Sequence, residues 1–588
     1  MNSFLQVFYS VFSGLLLSVA IPNELFHFGY PLASFFAISF FYCAIKSCKS
    51  YKKAFFCTFM QVLTTHLCSS FWLVNFKDFA IFTLGGSAIA TAFIGGIFGI
   101  YLYLPYRNFP DSFLTRHKLY KKISETPSFR VLYFASIYTL YEWYKSSGFL
   151  GYPWGTISSS MFNWPVLMQI SDITGAYGIT FITVFFNCLL AEFISYFITS
   201  KTIYDYKKKV NYILQIKDIT LTFIVLFITV ILYGTFQYNK TRTPIKQITS
   251  ILVQQNADPW ITDSDEERIL TSQRLTREKI KELEQQGKTP QLVVWSEGTL
   301  MSPFPYGKDI YEFHPYEDPL IPFIHEIKTP FITGGAVIKS YNYNGHFYNK
   351  FFNSSLVFDS EGNLRGTYGK LHLVPFAEAI PGSDNPFIRA FLMKIIGISS
   401  GWSKGEQLIN FDIPCNWYDR EILPPEEIID VKVPFNIFET SLKNKPSVKI
   451  STPICFDDSF TDVMRPMFNS GAELFMNITD DSWSLKKSSE YQHFVIAAYD
   501  SIEYRTTLVR TTNAGYSVVL DPSGKILYDL PLFEEAALAV DIPIYQHIPT
   551  VYSKFGNWLP YLIIVMLFLY TLYSKKYFLT HKSISSLK

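Results

Sequence analysis

The chain has 588 residues and a mass of 67.8 kDa, several times the ~150 residues of an average domain, so a lone small binding module is excluded. Apolar residues make up 49% and charged ones only 17%, against about 25% in an ordinary soluble protein, which excludes a disordered chain and points to lipid. The net charge of +2 hides a division: 17 Lys/Arg against 9 Asp/Glu over residues 1–236, 30 against 40 over 237–556 and 4 against none over 557–588, so an acidic domain unsuited to nucleic acid lies between basic, apolar flanks.

In chain order, apolar runs long enough to cross a bilayer as helices lie near residues 4–21, 29–45, 54–74, 79–104, 129–146, 176–199 and 219–236, with an eighth near 557–574. No Lys or Arg precedes Lys46, so the first run lacks the basic flank of a secretory signal and is read as a permanent span. The fourth run holds Gly85, Gly86, Gly95, Gly96 and Gly99, which suits close helix packing in lipid. Glu142 is the charge in these runs that most resembles a transport-site residue.

Basic residues stay on the cytoplasmic side of a membrane, and here they fall in alternate connections. One set, with the C-terminal tail, holds 19 Lys/Arg, including Lys46, Arg116, Lys208 and Lys575; the other holds Lys77 and Lys145. Eight spans with a cytoplasmic N-terminus satisfy this pattern. The expected organisation is a membrane domain of about seven transmembrane helices (1–236), an extracytoplasmic domain (237–556), and a last transmembrane helix with a cytoplasmic tail (557–588). Of seven cysteines only Cys415 and Cys455 belong to the external domain, so no disulfide framework is indicated.

Within that domain short apolar or β-branched runs alternate with helical patterns, which predicts an α/β domain with mixed sheets. The strand candidates are Ser250–Gln254, Leu292–Ser296, Phe331–Gly335, Ser354–Asp359, Val448–Ile454, Leu474–Ile478, Thr507–Thr511 and Tyr516–Leu520. Helices are expected over Glu266–Gln286 and Tyr491–Tyr504. Three apolar runs end in an ionisable residue: Glu297 after Val293-Val294-Trp295-Ser296, Lys370 after Tyr368-Gly369, and Cys455 after Ile450-Ser451-Thr452-Pro453-Ile454. Strand ends are where open α/β sheets place ligands. Brought together there, a carboxylate takes a thiol proton, the thiolate attacks a carbonyl, and an ammonium holds the oxyanion. His372 and His493 have no sequence neighbours at metal-ligand spacing and read as structural; no metal and no cofactor is expected.

With their flanks, the segments around Glu297, Lys370-Leu371-His372-Leu373-Val374-Pro375 and Cys455 resemble the nitrilase, or carbon-nitrogen hydrolase, superfamily, which has a Glu-Lys-Cys triad in an α-β-β-α sandwich. The flanking spans narrow the resemblance to its membrane-embedded branch, the apolipoprotein N-acyltransferase family, over nearly the whole chain. Val253-Gln254-Gln255-Asn256, Pro375-Phe376-Ala377-Glu378, Asn477-Ile478-Thr479-Asp480-Asp481-Ser482-Trp483, Gln492-His493 and Val509-Arg510-Thr511-Thr512-Asn513-Ala514-Gly515 are similar to family segments, as is Gly151-Tyr152-Pro153-Trp154 with Gln169 and Gly175-Ala176-Tyr177-Gly178.

The resemblance implies that Glu297 is the base, Lys370 the oxyanion donor, Cys455 the nucleophile and Glu378 a second glutamate that holds Lys370 or assists proton transfer. It also implies supporting or substrate-positioning roles for Phe456, whose backbone amide would be a second oxyanion donor, for Asp457 and for Trp260. Phe456-Asp457 stand where the family usually has Tyr-Glu, and Trp483-Ser484-Leu485 where it has Trp-Phe-Gly. The implied activity is N-acylation of the S-diacylglyceryl cysteine of apolipoproteins, with a phospholipid donor and a Cys thioester, the final step of bacterial lipoprotein maturation. The implied partners are a phospholipid, a diacylglyceryl-apolipoprotein and the lipid bilayer. The implied setting is the inner membrane with the domain of residues 237–556 in the periplasm, and the enzyme is expected to act as a monomer.

The stretch Pro386–Ile396, apolar but for Arg389 and Lys394, is expected either to dip into the lipid interface as a lid or to be a core helix. Two other readings stay open from the residues: a tethered amidase acting on a small external amide, and a transporter or sensor carrying an inactive hydrolase fold.

Overall fold

The computed structural model describes residues 1–76, 80–106, 124, 126–200, 206–261, 263–343, 346–379, 387, 401–418 and 446–585. Most of the basic connection between the fourth and fifth apolar runs, and the stretch Pro386–Ile396 apart from Phe387, lie outside the described residues. The chain divides into two units, Met1–Asn239 with Phe555–Lys588, and Lys240–Lys554.

The first unit is helical: α1 (Ser3–Ala20), α2 (Pro31–Lys46), α3 (Tyr51–Ser69), α4 (Ser87–Tyr103), α5 (Pro127–Lys145), α6 (Ala176–Ser200) and α7 (Tyr206–Asn239), with Trp558–Ser585 near the C-terminus. The local sequence sets their starts. Asn2 and Ser50 accept from the amides of Leu5 (2.9 Å) and Lys53 (3.4 Å), capping α1 and α3, while Pro31 and Pro127 open α2 and α5 where no amide donor is needed. Among the described residues four helices are long and apolar enough to cross a bilayer, Ser3–Ala20, Thr83–Tyr106, Ala176–Phe197 and Tyr212–Asn239, and Pro31–Lys46 and Trp558–Leu572 are shorter apolar helices. The other two expected spans are helical but more polar, α3 carrying Lys52, Lys53, Gln61 and His66, and α5 carrying Arg130, Glu142 and Lys145.

Three of the five glycines of the fourth run bring α4 against α3: an added Cβ at Gly95, Gly96 or Gly99 would lie 2.6 Å from Val62, 2.6 Å from Phe55 or 2.2 Å from Thr58. Gly85 and Gly86 face open space. Glu142 is fully buried and accepts from the Ile157 amide (2.9 Å) and the Thr180 hydroxyl (2.6 Å), so its carboxylate ties α5 to the 157–161 turn and α6.

Among its described residues the second unit contains fourteen strands: β1 (Lys246–Gln254), β2 (Leu292–Val294), β3 (Leu300–Phe304), β4 (Phe331–Tyr343), β5 (His346–Phe358), β6 (Leu364–Gly369), β7 (Asn410–Pro414), β8 (Asn416–Trp417), β9 (Ser447–Ser451), β10 (Leu474–Thr479), β11 (Thr507–Thr512), β12 (Val518–Leu520), β13 (Ile526–Asp529) and β14 (Ala536–Ile544). They form two mixed sheets, one ordered β14-β1-β2-β4-β5-β6 with β3 on β4 and β8 on β1, the other β13-β12-β11-β10-β9-β7. Each expected strand coincides with one of these, and the expected helices are α8 (Glu266–Gln285) and α9 (Lys487–Glu503).

Helix α8 packs on β1 and β14, and α9 packs on β11. Its amphipathic pattern puts Ile269, Leu275 and Leu283 of α8 into a core with Ile251, Val253, Val293, Trp295 and Phe331. The sheets meet through Gln254 and Ser517 (2.7 Å) and through Ser355 and Thr452 (2.6 Å), giving a helix-sheet-sheet-helix sandwich. The first and last strands pair antiparallel over nine residues, from Lys246 opposite Ile544 to Gln254 opposite Ala536.

Candidate active site

Glu297 stands just past β2. The strand before it is fixed by Trp295, whose indole donates to Thr276 Oγ1 (3.0 Å) and whose ring meets Phe331 edge-on, centroids 4.7 Å apart. Pairing with β4 continues past the strand: the Trp295 amide donates to the Ile332 carbonyl (2.9 Å) and the Gly334 amide to that of Ser296 (3.0 Å). Gly334 lies so close that a Cβ there would sit 2.5 Å from Glu297 Cα.

The carboxylate of Glu297 accepts at both oxygens. Oε1 takes Asn353 Nδ2 (2.7 Å) and Lys370 Nζ (3.4 Å), and Oε2 takes the Asp480 amide (2.9 Å). Burial raises its pKa, against the pull of Lys370.

Lys370 directly follows β6, held by its amide on the Asn353 carbonyl (2.8 Å) and by its carbonyl, which accepts from the Gly405 amide (2.7 Å). Its side chain is buried, and the ammonium donates to Glu378 Oε1 at 2.9 Å. Glu378 also accepts from Asn353 Nδ2 (3.0 Å) and from the Val374 amide (2.8 Å). One amide group, that of Asn353, therefore bridges both glutamates. Burial opposes a charge on Lys370, but Cys455, Glu297 and Glu378 outweigh it and hold its pKa well above the usual range.

Cys455 opens the tight turn Cys455–Ser459 with a backbone φ of +45°, a left-handed conformation costly for any residue with a Cβ. Ile454, just before it, bridges to Ile478 of β10, which pins the turn to the second sheet. Burial, and then the negative charge of Glu297, push the thiol well above its ordinary range against the pull of Lys370. Sulfur Sγ lies 3.8 Å from Asp481 Oδ1.

Asp457 is fully buried. Its carboxylate accepts from the amides of Leu371 (3.2 Å), His372 (2.7 Å) and Ile454 (3.1 Å) and from the Tyr368 hydroxyl (2.8 Å). It joins the segment that carries Lys370 to the turn that carries Cys455. Burial pushes its carboxyl up to about 7. The Phe456 ring packs against Phe460 and His372, centroids 4.7 and 5.4 Å apart, and His372 stacks on Phe460 at 3.4 Å. Burial lowers the His372 imidazole to about 4, so it is neutral. Trp260 lies on a separate turn after β1, its amide donating to Asp258 Oδ1 (2.9 Å).

The structure thus gathers Glu297, Lys370, Glu378, Cys455 and Asp457. It also gathers Asn353 and Asp458, which no sequence pattern marks, and sets Asp458 in a buried group with Asp481, His493 and Arg510, residues of the family-like segments to which the sequence assigns no role at the site. Contrary to the expectation from its sequence neighbours, His493 does stand near candidate ligands, since its ring, Cys455 and Asp481 offer ligand atoms within 4.8 Å of one another. Both imidazole nitrogens, however, are engaged by carboxylates, Nδ1 with Asp481 Oδ2 (2.7 Å) and Nε2 with Asp458 Oδ1 (2.9 Å), so no lone pair faces a metal. One signal was available for this set: Arg510 sits inside an otherwise apolar and hydroxylic strand, where a buried cation demands carboxylate partners.

A buried thiol, a carboxylate to receive its proton and a charged ammonium beside them are the equipment of acyl transfer through a covalent thioester. Residues 13–189 match the family model described as apolipoprotein N-acyltransferase N-terminal domain, and residues 278–548 match the carbon-nitrogen hydrolase model. The chain is 38% identical to apolipoprotein N-acyltransferase 2 of Treponema denticola, covering 96% of this chain and 97% of that one, and 30% identical to apolipoprotein N-acyltransferase 2 of Treponema pallidum, covering 95% and 93%. A carbon-nitrogen hydrolase from Helicobacter pylori G27 superposes with a TM-score of 0.32 at 17% identity, over 51% of this chain and 89% of that one.

Proposed function

The chain belongs to the apolipoprotein N-acyltransferase family, and from that premise we propose that it moves an acyl chain from a phospholipid to the α-amine of an S-diacylglyceryl cysteine at a lipoprotein N-terminus. Glu297 takes the Cys455 thiol proton as the sulfur attacks the phospholipid ester carbonyl, and Lys370 stabilises the oxyanion, with the Phe456 amide as a second donor. The ester C–O bond breaks, lysophospholipid leaves with the proton from Glu297, and the acyl chain remains on Cys455 as a thioester. The lipoprotein amine then attacks the thioester, gives up its proton to Glu297, and departs as the amide while Cys455 recovers its thiol. Glu378 holds Lys370 in place through both halves.

The observation that most supports this reading is the burial of Glu297, Lys370 and Glu378 within 3.4 Å contacts beside a cysteine whose thiol senses all three. Residues 237–556 face away from the cytoplasm, tethered by seven membrane helices before them and one after. Confinement to the membrane raises the effective concentration of two lipid substrates. A buried site limits loss of the thioester to water.

The test is mass spectrometry of the full chain in detergent incubated with phospholipid, with and without a diacylglyceryl-cysteine peptide. The expected result is an acyl mass on the Cys455 peptide that disappears as N-acyl peptide forms, and is absent from Cys455→Ala. Release of free fatty acid alone would turn the reading to a hydrolase, and no adduct at all would end it.

A further inference from the structure

The groups named so far leave four buried charges behind Cys455 without a task. Asp481 follows β10, His493 lies on α9, Arg510 lies on β11, and Asp458 is on the Cys455 turn itself. His493 joins the two aspartates as described, and Arg510 spans the same pair, with one guanidinium nitrogen on Asp458 and the other on Asp481 Oδ2 at 3.3 Å. Two cations and two anions close a ring whose members are almost fully buried. An imidazole with carboxylates on both nitrogens is an imidazolium, and Asp481 and Asp458 lift it to about 9 against the cost of burial.

The ring fixes Asp481. Its Oδ2 is held by His493 and Arg510, and its Oδ1 is the corner turned to the sulfur of Cys455. Burial disfavours charge on Asp481, but His493 and then Arg510 outweigh it and keep the carboxylate ionised. A locked anion beside the nucleophile is not a neutral spacer.

We propose that Asp481, clamped by His493 and Arg510, is a positioning residue that accepts the resting hydrogen bond of the Cys455 thiol, keeping the sulfur protonated and aimed until an acyl donor displaces the proton toward Glu297. This rests on the acyl-transfer reading for Cys455. Asp481 acts through the sulfur and takes no proton itself. The charged groups facing the thiol are Glu297, Lys370, Glu378 and Asp481, and those facing Asp481 are His493, Arg510 and Lys370, with Asp480 and Glu490 close by. Of these, Asp481 is the carboxylate in hydrogen-bonding distance of Sγ among the described residues.

The test is the pH dependence of Cys455 alkylation by iodoacetamide in the full chain in detergent, read on the peptide that carries Cys455. Asp481→Asn keeps the shape and removes the anion, so the midpoint should move down by about one pH unit, a roughly tenfold faster reaction at fixed acidic pH. His493→Gln removes the countercharge and should move the midpoint up. Loosened packing would shift both variants the same way, so opposite shifts identify electrostatic positioning. Should Asp481→Asn fail to fold, as judged by its melting transition, His493→Gln carries the test alone. An unmoved midpoint, or shifts of the same sign, overturns the proposal. Because alkylation needs no acyl donor, opposite shifts in a protein that never forms an acyl adduct would sink only the acyl-transfer reading, and normal transfer with no shift would sink only this one.

Discussion

The hydroxyl of Tyr368 donates to Asp457 at 2.8 Å, and through that bond the strand that leads into Lys370 is fastened to the turn that begins at Cys455. The same carboxylate gathers the amides of Leu371, His372 and Ile454. Two residues separated by more than eighty positions in the chain are thus held in one geometry by an aspartate that bonds to the backbone beside each of them.

Asp457→Asn should separate the two segments. An amide offers one acceptor oxygen in place of two and turns an NH2 toward donors, leaving buried amides unpaired at roughly 1–3 kcal/mol. The expected outcome is a lowered melting temperature together with a loss of acyl transfer larger than the loss of folded protein. Tyr368→Phe removes one donor and should cost about 1 kcal/mol with turnover nearly intact. A melting curve and a turnover assay on each variant decide it.

Stability should fall as the pH rises. His493 is lifted from an ordinary value near 6.5 to about 9, so its contribution is complete below about 6.5 and is lost as the pH passes 9, roughly 3 kcal/mol in all. Asp457, raised to about 7, acts with the same sign at lower pH: its protonated form is favoured in the folded state, so stability drains away as the pH climbs from about 4 through 7. Thermal melts across this range should show His493→Gln flattening the upper part of the slope and Asp457→Asn the lower. A wild-type melting temperature constant from pH 5 to 9 would contradict both assignments.

Gly334→Ala tests the seat of Glu297. The new methyl would lie 2.5 Å from Glu297 Cα and 2.6 Å from the Gly298 nitrogen, both backbone atoms that cannot swing aside. Overpacking of this kind costs about 1–3 kcal/mol, and it would push the carboxylate away from Asn353 and Lys370. Turnover should drop at least tenfold, with the variant still folded by circular dichroism.

In the helical unit, Gly99→Ala should be destabilising and Gly86→Ala tolerated. A Cβ at Gly99 would meet Thr58 Oγ1 at 2.2 Å and the Ala54 carbonyl at 2.8 Å, whereas at Gly86 nothing lies within 4 Å. Melting of the two detergent-purified variants side by side checks the contrast, and equal melting temperatures would refute it.

The sheet elements near the site were legible because each is an apolar run cut off by an ionisable residue, as at Val294 before Glu297 and Ile454 before Cys455. The long hairpin of β4 and β5 was read only at its base, Phe331–Gly335 and Ser354–Asp359, because Lys339–Lys350 is rich in polar residues and Tyr and lacks the alternation of a half-buried strand. Asn353 was invisible for a related reason: a polar residue inside a strand reads as surface, and only the fold shows it between two glutamates. Asp457 stands out in the sequence as a departure from the family pattern with a supporting or substrate-positioning role, but its partners Tyr368, Leu371, His372 and Ile454 are not legible there, since a side chain's direction depends on the turn that carries it. The ring around His493 joins four elements from Asp458 to Arg510, a relation that only tertiary packing creates.

The pairing of β1 with β14 has a consequence for how such a chain can be taken apart. Lys246 lies opposite Ile544, so the polypeptide enters and leaves the α/β unit through neighbouring positions, about 5 Å apart. Residues 246–544 therefore form a cassette whose excision leaves two ends that a few Gly and Ser residues can rejoin.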